Sequence, residues 1–176
     1  MLATEYLKLE HRRIERLLQV VGHLCHARQA EKQPTPAVQT QLIEWISGFA
    51  DGLHRHKEEL LLFPALERAG IPHRQGPIGV MLLEHEQGRE LLRQMQQAQQ
   101  AGNTAAFVAA AAGYSELLTA HIFKEDNILY RMGDMHLSIG QQQQILAACQ
   151  EYDGAHLSEL AHFEAMLTAL EAEIGA

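Results

Sequence analysis

Two His-x-x-x-Glu pairs, His54 with Glu58 and His121 with Glu125, constrain this 176-residue chain more than any other feature. In a helix an i,i+4 spacing turns both side chains to one face, about one turn apart. His11 and His85 lie in two further predicted helices. All six residues fall at nearly the same distance from one end of the bundle those helices would make.

The helices themselves follow from composition and punctuation. Leu, Ala, Gln, Glu and Arg dominate, and β-branched runs are absent. The first helix is predicted from about Thr4 to Ala30, with Leu7, His11, Ile14, Leu18 and Val21 on one stripe. Lys32-Gln33-Pro34-Thr35-Pro36 breaks it, with Thr35 as N-cap and Pro36 in the first turn of the second helix. That helix runs to about Ala69 and stops at Gly70. The third opens near Pro77 and ends by Gly102-Asn103. The fourth runs from about Thr104 to Arg131 and ends near Gly133. Ser138 caps a fifth helix, and Asp153-Gly154 breaks or kinks it before a final helix to Ile174.

Short loops make successive helices antiparallel neighbours. The expected fold is therefore all-α, an up-down-up-down four-helix bundle over residues 1–135 with one or two additional C-terminal helices over 136–176. No repeat or linker divides the chain. In that layout the six residues all sit roughly 10–20 Å from one pole, at 1.5 Å per residue. Neutral imidazoles with carboxylates suit a divalent transition metal, and two carboxylates can bridge two ions. A dinuclear metal site is the expectation.

Charge and cysteine usage narrow the rest. With 14 basic and 22 acidic residues the formal charge is −8, and no basic stripe or aromatic platform is present. Nucleic acid and anionic lipid are thus not expected partners. Cys25 and Cys149 lie far apart with no CxxC, which fits a reduced cytoplasmic setting. The N-terminus lacks an apolar signal core, and no run approaches the ~20 apolar residues of a membrane span.

The segments around His11, His54-Arg55-His56-Lys57-Glu58-Glu59-Leu60-Leu61-Leu62-Phe63-Pro64, Gly76 to Arg89, and His121 to Tyr130 together resemble the bacterial hemerythrin-like proteins with the HHE cation-binding domain. The resemblance covers about residues 4 to 135. It implies a bundle holding a non-haem di-iron centre. By position, one iron would take His11 and His54 and the other His85 and His121. Glu58 and Glu125 would bridge them, with an oxo or hydroxo group completing the pair; iron ranks ahead of zinc or manganese. Asp126 stands at the spacing where the oxygen carriers take an aspartate. Helix geometry ranks Glu125 first, about 40° from His121 against about 140° for Asp126. Arg89 replaces the carriers' second helix-three histidine, and Arg55 replaces an extra carboxylate found in some relatives. The resemblance thus points away from simple oxygen carriage.

The expected function is binding or reducing a small oxidant: dioxygen, nitric oxide or peroxide. Whether the chain turns such a ligand over is left open. The alternatives are a non-enzymatic iron or oxygen sensor, an iron-handling protein, or repair of damaged iron centres. That repair family usually carries an N-terminal cysteine-bearing module that this sequence lacks. Structural zinc would want a tight four-ligand site rather than six ligands.

Other candidates read as ordinary. His56 turns away from His54 and is expected exposed, His73 lies in a loop, and His26 is roughly 22 Å from His11 along the axis. Glu159-Leu160-Ala161-His162 offers one ExxH where a pair is required. Leu61, Leu62, Phe63, Leu117, Leu118, Phe123 and Leu129 are expected in the core, with Tyr114 there or lining a pocket above the metals. Glu86 or Glu90 is expected to hold Arg89 on the surface. Gln141 to Gln144 form a polar face. The C-terminal region packs across the bundle or forms a homodimer surface.

Overall fold

A computed structural model describes residues 1–26 and 33–175. Among them are six helices and no strand. They are α1 (Ala3–His26), α2 (36–68), α3 (Pro77–Gln100), α4 (Thr104–His136), α5 (Ile139–Ala155) and α6 (Leu157–Ile174). The expected end of the first helix at Ala30 and the break at Lys32 lie outside the described residues.

The punctuation acts largely as its chemistry dictates. The Thr35 side chain accepts a hydrogen bond from the Val38 amide at 3.3 Å, and Pro36 follows it in the first turn. Gly70 and Gly102 adopt the left-handed conformation after α2 and α3. Ser138 and Gln141 form a reciprocal capping box at the start of α5. Two expected stops are overridden by packing. Gly133 lies inside α4, which runs to His136, and there it admits the Leu66 side chain. Asp153-Gly154 continues α5, and the break comes at His156. The reason is that Asp153 is buried against a lysine of α2.

Contacts between helix ends fix the direction of each helix. Thr4 of α1 bonds Asp134 near the end of α4, Gln39 reaches Thr104 at the two starts of α2 and α4, and Gln99 meets Thr40. Helices α1 to α4 therefore run up, down, up and down, in the cyclic order α1–α2–α3–α4. Helices α5 and α6 pack on the outside against α1 and α2. Trp45 of α2 donates from its indole nitrogen to the Phe163 carbonyl of α6 at 3.0 Å. Gly48 leaves the space that the Phe163 ring fills; a Cβ there would lie 2.2 Å from Phe163 Cζ.

The bundle interior holds two apolar clusters. One contains Trp45, Phe49, Phe107, Tyr114 and Leu118, and the other Leu7, Leu62, Phe63, Leu66 and Leu129. Between them lies a layer of buried polar residues at the depth of His11, His54, His85 and His121. Phe123, expected in the core, is 64% exposed: two residues beyond the inward-facing His121 it points outward. Leu61 and Leu117 are only partly buried. One helix, Thr104–His136, does reach the length and hydropathy of a membrane span, with a mean hydropathy of 1.3, contrary to the expectation from runs of apolar residues. Here it is the bundle helix that packs on α1 and α3 and carries His121 and Glu125 inward.

Candidate metal centre

Helices α2 and α4 are locally widened at the polar layer. Ile46–His54, Glu58–Leu62 and Glu125–Leu129 are π-helical, with Glu58 and Glu125 each opening such a turn. Single π turns in otherwise α-helical segments recur at functional sites. Their effect here is geometric. In an α-helix a residue five positions on faces away, but the wider turn brings it back over its predecessor. So Phe63 returns above Glu58 and stacks on His85, with centroids 5.8 Å apart. Tyr130 likewise returns above Glu125 and stacks on His11 at 5.4 Å.

All six residues singled out in the sequence converge in this layer, and all six are buried. They form two overlapping groups: His11, His54, Glu58 and Glu125; and Glu58, His85, His121 and Glu125. In each group the candidate ligand atoms lie within 4.8 Å of one another. His11 Nε2 is 3.3 Å and His121 Nε2 3.2 Å from Glu125 Oε2. His85 Nε2 is 3.3 Å and His54 Nε2 3.5 Å from Glu58 Oε2. Metal–ligand bonds of about 2.1 Å at angles of 90–110° place donor atoms about 3.0–3.4 Å apart, so these spacings fit an ion shared by each group. Asp126 lies outside both groups.

Four carboxylates stand behind the histidines. Each imidazole turns Nε2 inward because its Nδ1 is held from outside: His11 by Asp126 at 2.7 Å, His54 by Glu10 at 2.9 Å, His85 by Glu59 at 2.7 Å and His121 by Glu84 at 2.9 Å. Each carboxylate belongs to the helix before its histidine in the ring: α1 serves α2, α2 serves α3, α3 serves α4, and α4 serves α1. Each also pairs with a cation from the histidine's own helix, in the pairs Glu10–Lys57, Glu59–Arg89, Glu84–Lys124 and Asp126–Arg12. Carboxylates placed behind ligating histidines fix the tautomer and raise the basicity of the inner nitrogen.

This outer ring balances its own charge, so the two carboxylates in the middle remain. Among the described residues, Glu58 Oε2 and both oxygens of Glu125 are buried without a hydrogen-bond partner. Leaving such groups unsatisfied is costly unless something else compensates them. Burial pushes the Glu125 carboxyl upward, yet His121 and His11 outweigh it and hold it well below its ordinary value. Burial and Glu125 likewise push Glu58 up, and His54 and His85 bring it below. Conversely, burial disfavours a charged His11, but Asp126 and Glu125 push it up to about 10. His121 rises to about 9, burial again being outweighed by Glu125 and Glu84. The donor set, the spacing and the orphaned oxygens all fit metal cations.

Tyr130 adds a hydroxyl to this layer, donating to Glu58 Oε1 at 2.5 Å and lying 3.5 Å from His11 Nε2. Arg55 is buried, donates to Asp51 at 2.7 Å and to the His85 carbonyl at 3.1 Å, and fits because Gly88 has no side chain. Arg89 is held by Asp51 and Glu59, more closely than by Glu86. Tyr114 is buried and its hydroxyl has no hydrogen-bond partner among the described residues. His56 is half-buried rather than exposed, stacking on Tyr152 of α5 at 4.3 Å. His162 pairs with Glu44 on the surface and His73 with Glu67 in its loop. Of His26 only the backbone is described.

Glu10, Glu59, Glu84 and Tyr130 were not singled out from the sequence, and Asp126 was weighed only as an alternative to Glu125, although a signal for the carboxylates exists. Glu-His occurs at Glu10-His11 and Glu84-His85, and His-x-x-Lys-Glu-acid occurs at His54–Glu59 and His121–Asp126. The two halves of the site are thus related by an approximate two-fold that exchanges α1 with α3 and α2 with α4. Phe63 and Tyr130 are one exchanged pair that differ in chemistry.

Among curated proteins none matches the chain. A family model described as the hemerythrin HHE cation binding domain matches residues 2–133, which span α1 to α3 and most of α4. The buried histidine and carboxylate clusters fall within that match, and the chain belongs to the hemerythrin HHE cation-binding domain family.

Proposed function

We propose that this protein is a non-haem di-iron protein that binds or reduces a small oxidant such as dioxygen, nitric oxide or peroxide. The observation that carries the reading is the pair of overlapping His2Glu2 groups, in which Glu58 Oε2 and both Glu125 oxygens have no hydrogen-bond partner among the described residues. His11 and His54 would hold one ion, His85 and His121 the other, and Glu58 and Glu125 would serve both. Four protein donors per ion leave room for a small ligand, and iron supplies the redox change.

The chain's own residues do the remaining work. Asp126, Glu10, Glu59 and Glu84 keep all four imidazoles in the tautomer that presents Nε2 inward. Leu62, Phe63 and Leu129 on one side, with Leu118 and Ile122 on the other, keep bulk water from the layer. Tyr130 holds a proton between Glu58 Oε1 and His11 Nε2, where a group bound in the middle can accept it. The two free cysteines fit a reducing, cytoplasmic setting.

Stopped-flow mixing of the iron-loaded, reduced protein with each oxidant tests the reading. Catalytic consumption of peroxide or nitric oxide supports reduction. Reversible binding without turnover supports the sensing or storage alternative. Failure to bind any of the three by iron-loaded protein would refute both.

A further inference from the structure

The approximate two-fold of the site also breaks at a lysine. Lys124, paired with Glu84, keeps a side chain 31% exposed. Its counterpart Lys57 is fully buried and has two carboxylate partners, Glu10 on α1 and Asp153 on α5, the latter at 2.5 Å. Helix α5 lies beyond the family-matched residues, and among the described residues Glu84 alone pairs with Lys124. It also brings Tyr152, whose ring lies 5.9 Å from the Lys57 ammonium, as does that of Tyr6 on α1. Tyr6 donates its hydroxyl to the other oxygen of Asp153 at 2.5 Å. A continuous run of bonds thus leads from Tyr6 through Asp153, Lys57 and Glu10 to Nδ1 of His54.

Resting on the metal-centre reading above, we infer that Asp153 is a positioning residue for His54, setting through Lys57 and Glu10 how strongly that imidazole donates to a metal at the His11/His54 position. Glu10 has one negative charge to share between the His54 N–H and the Lys57 ammonium. Asp153 takes up part of the ammonium's demand, which leaves more of Glu10's charge behind His54. Outer partners of ligating histidines change metal affinity in this manner. Because no second carboxylate among the described residues backs Lys124, the influence falls on one of the two positions only.

Cobalt(II) titration of metal-free protein, followed by its visible absorption, tests this position by position. His121→Ala retains only the His11/His54 position, and His54→Ala only the other. Asp153→Asn is expected to weaken cobalt binding about five- to tenfold in the His121→Ala background, below the roughly 10–100-fold of a direct partner because it acts one step further out. In the His54→Ala background it is expected to change binding less than about twofold, and Asp153→Glu to restore most of the loss. Tyr6→Phe, on the half-exposed side of the run, covers the case in which Asn at 153 unfolds α5. Removing that donor leaves Asp153 a stronger partner for Lys57, so cobalt should bind about twofold tighter at the His11/His54 position. Equal weakening in both backgrounds, or weakening by Tyr6→Phe, would overturn the inference while leaving the metal centre intact. No cobalt binding by the unsubstituted chain would overturn both.

Discussion

Glu84→Gln isolates what one carboxylate of the outer ring contributes. Glu84 Oε2 accepts from His121 Nδ1 at 2.9 Å, and its other oxygen pairs with Lys124. Glutamine keeps the shape and one acceptor but removes the charge. A hydrogen bond to a charged group contributes roughly 1.5–3 kcal/mol and a neutral one about 0.5–1.5. The expected loss is therefore about 1.4 kcal/mol, or about tenfold in affinity, at the His85/His121 position. Lys124 does not enlarge that loss, because its side chain is 31% exposed and water takes over from the carboxylate. Glu10 would be a poorer choice: its cation, Lys57, is fully buried and would be left with less compensation. The assay is anaerobic competition of the loaded protein against a chelator of known affinity, resolving a tight and a weakened ion. An affinity unchanged within about twofold at both positions would show that charge behind the imidazole is immaterial, and the argument from the carboxylate ring would fail.

Other outcomes follow from the same geometry. Glu58→Ala should remove most of the metal and His121→Ala the ion at the His85/His121 position, each lowering the melting temperature; retention of two ions per chain in both would refute the ligand assignment. Metal binding should release protons at pH 7.5, since His11 and His121 titrate at about 10 and about 9 without metal and must be neutral to bind it. Affinity should then climb as pH rises toward that range, while the metal-free fold, which gains from raised histidine values only below them, should melt lower at pH 10 than at pH 7. Calorimetry in buffers of different ionisation enthalpy reads the first effect and circular dichroism the second. Gly48→Ala places a methyl 2.2 Å from Phe163 Cζ and should destabilise the fold by about 1–3 kcal/mol, seen in chemical denaturation with unchanged metal content.

The helices and the convergence of six ligand-type residues were legible because both rest on short-range rules. Caps at Thr35 and Ser138 and the i,i+4 pairs need only local spacing. Tyr130 was hidden because sequence angles assume 100° per residue, and the π turn opened by Glu125 breaks that assumption. Glu10, Glu59 and Glu84 were hidden for a different reason. Glu10, next to His11 in sequence, serves His54 on another helix, so adjacency along the chain does not reveal its partner. Asp153 read as a helix breaker by residue type, and only the buried Lys57 opposite it explains why the helix continues. Phe123 went outward because α4 spends its inward face on the polar layer rather than on apolar packing.

The central claim is a dinuclear iron centre in the polar layer, and metal content with an absorption spectrum tests it most directly. Protein made in iron-replete cells should carry about two irons per chain, with near-ultraviolet charge-transfer absorption that bleaches on reduction and returns on re-oxidation. A colourless protein holding a single zinc, or no metal after anaerobic iron loading, would contradict it.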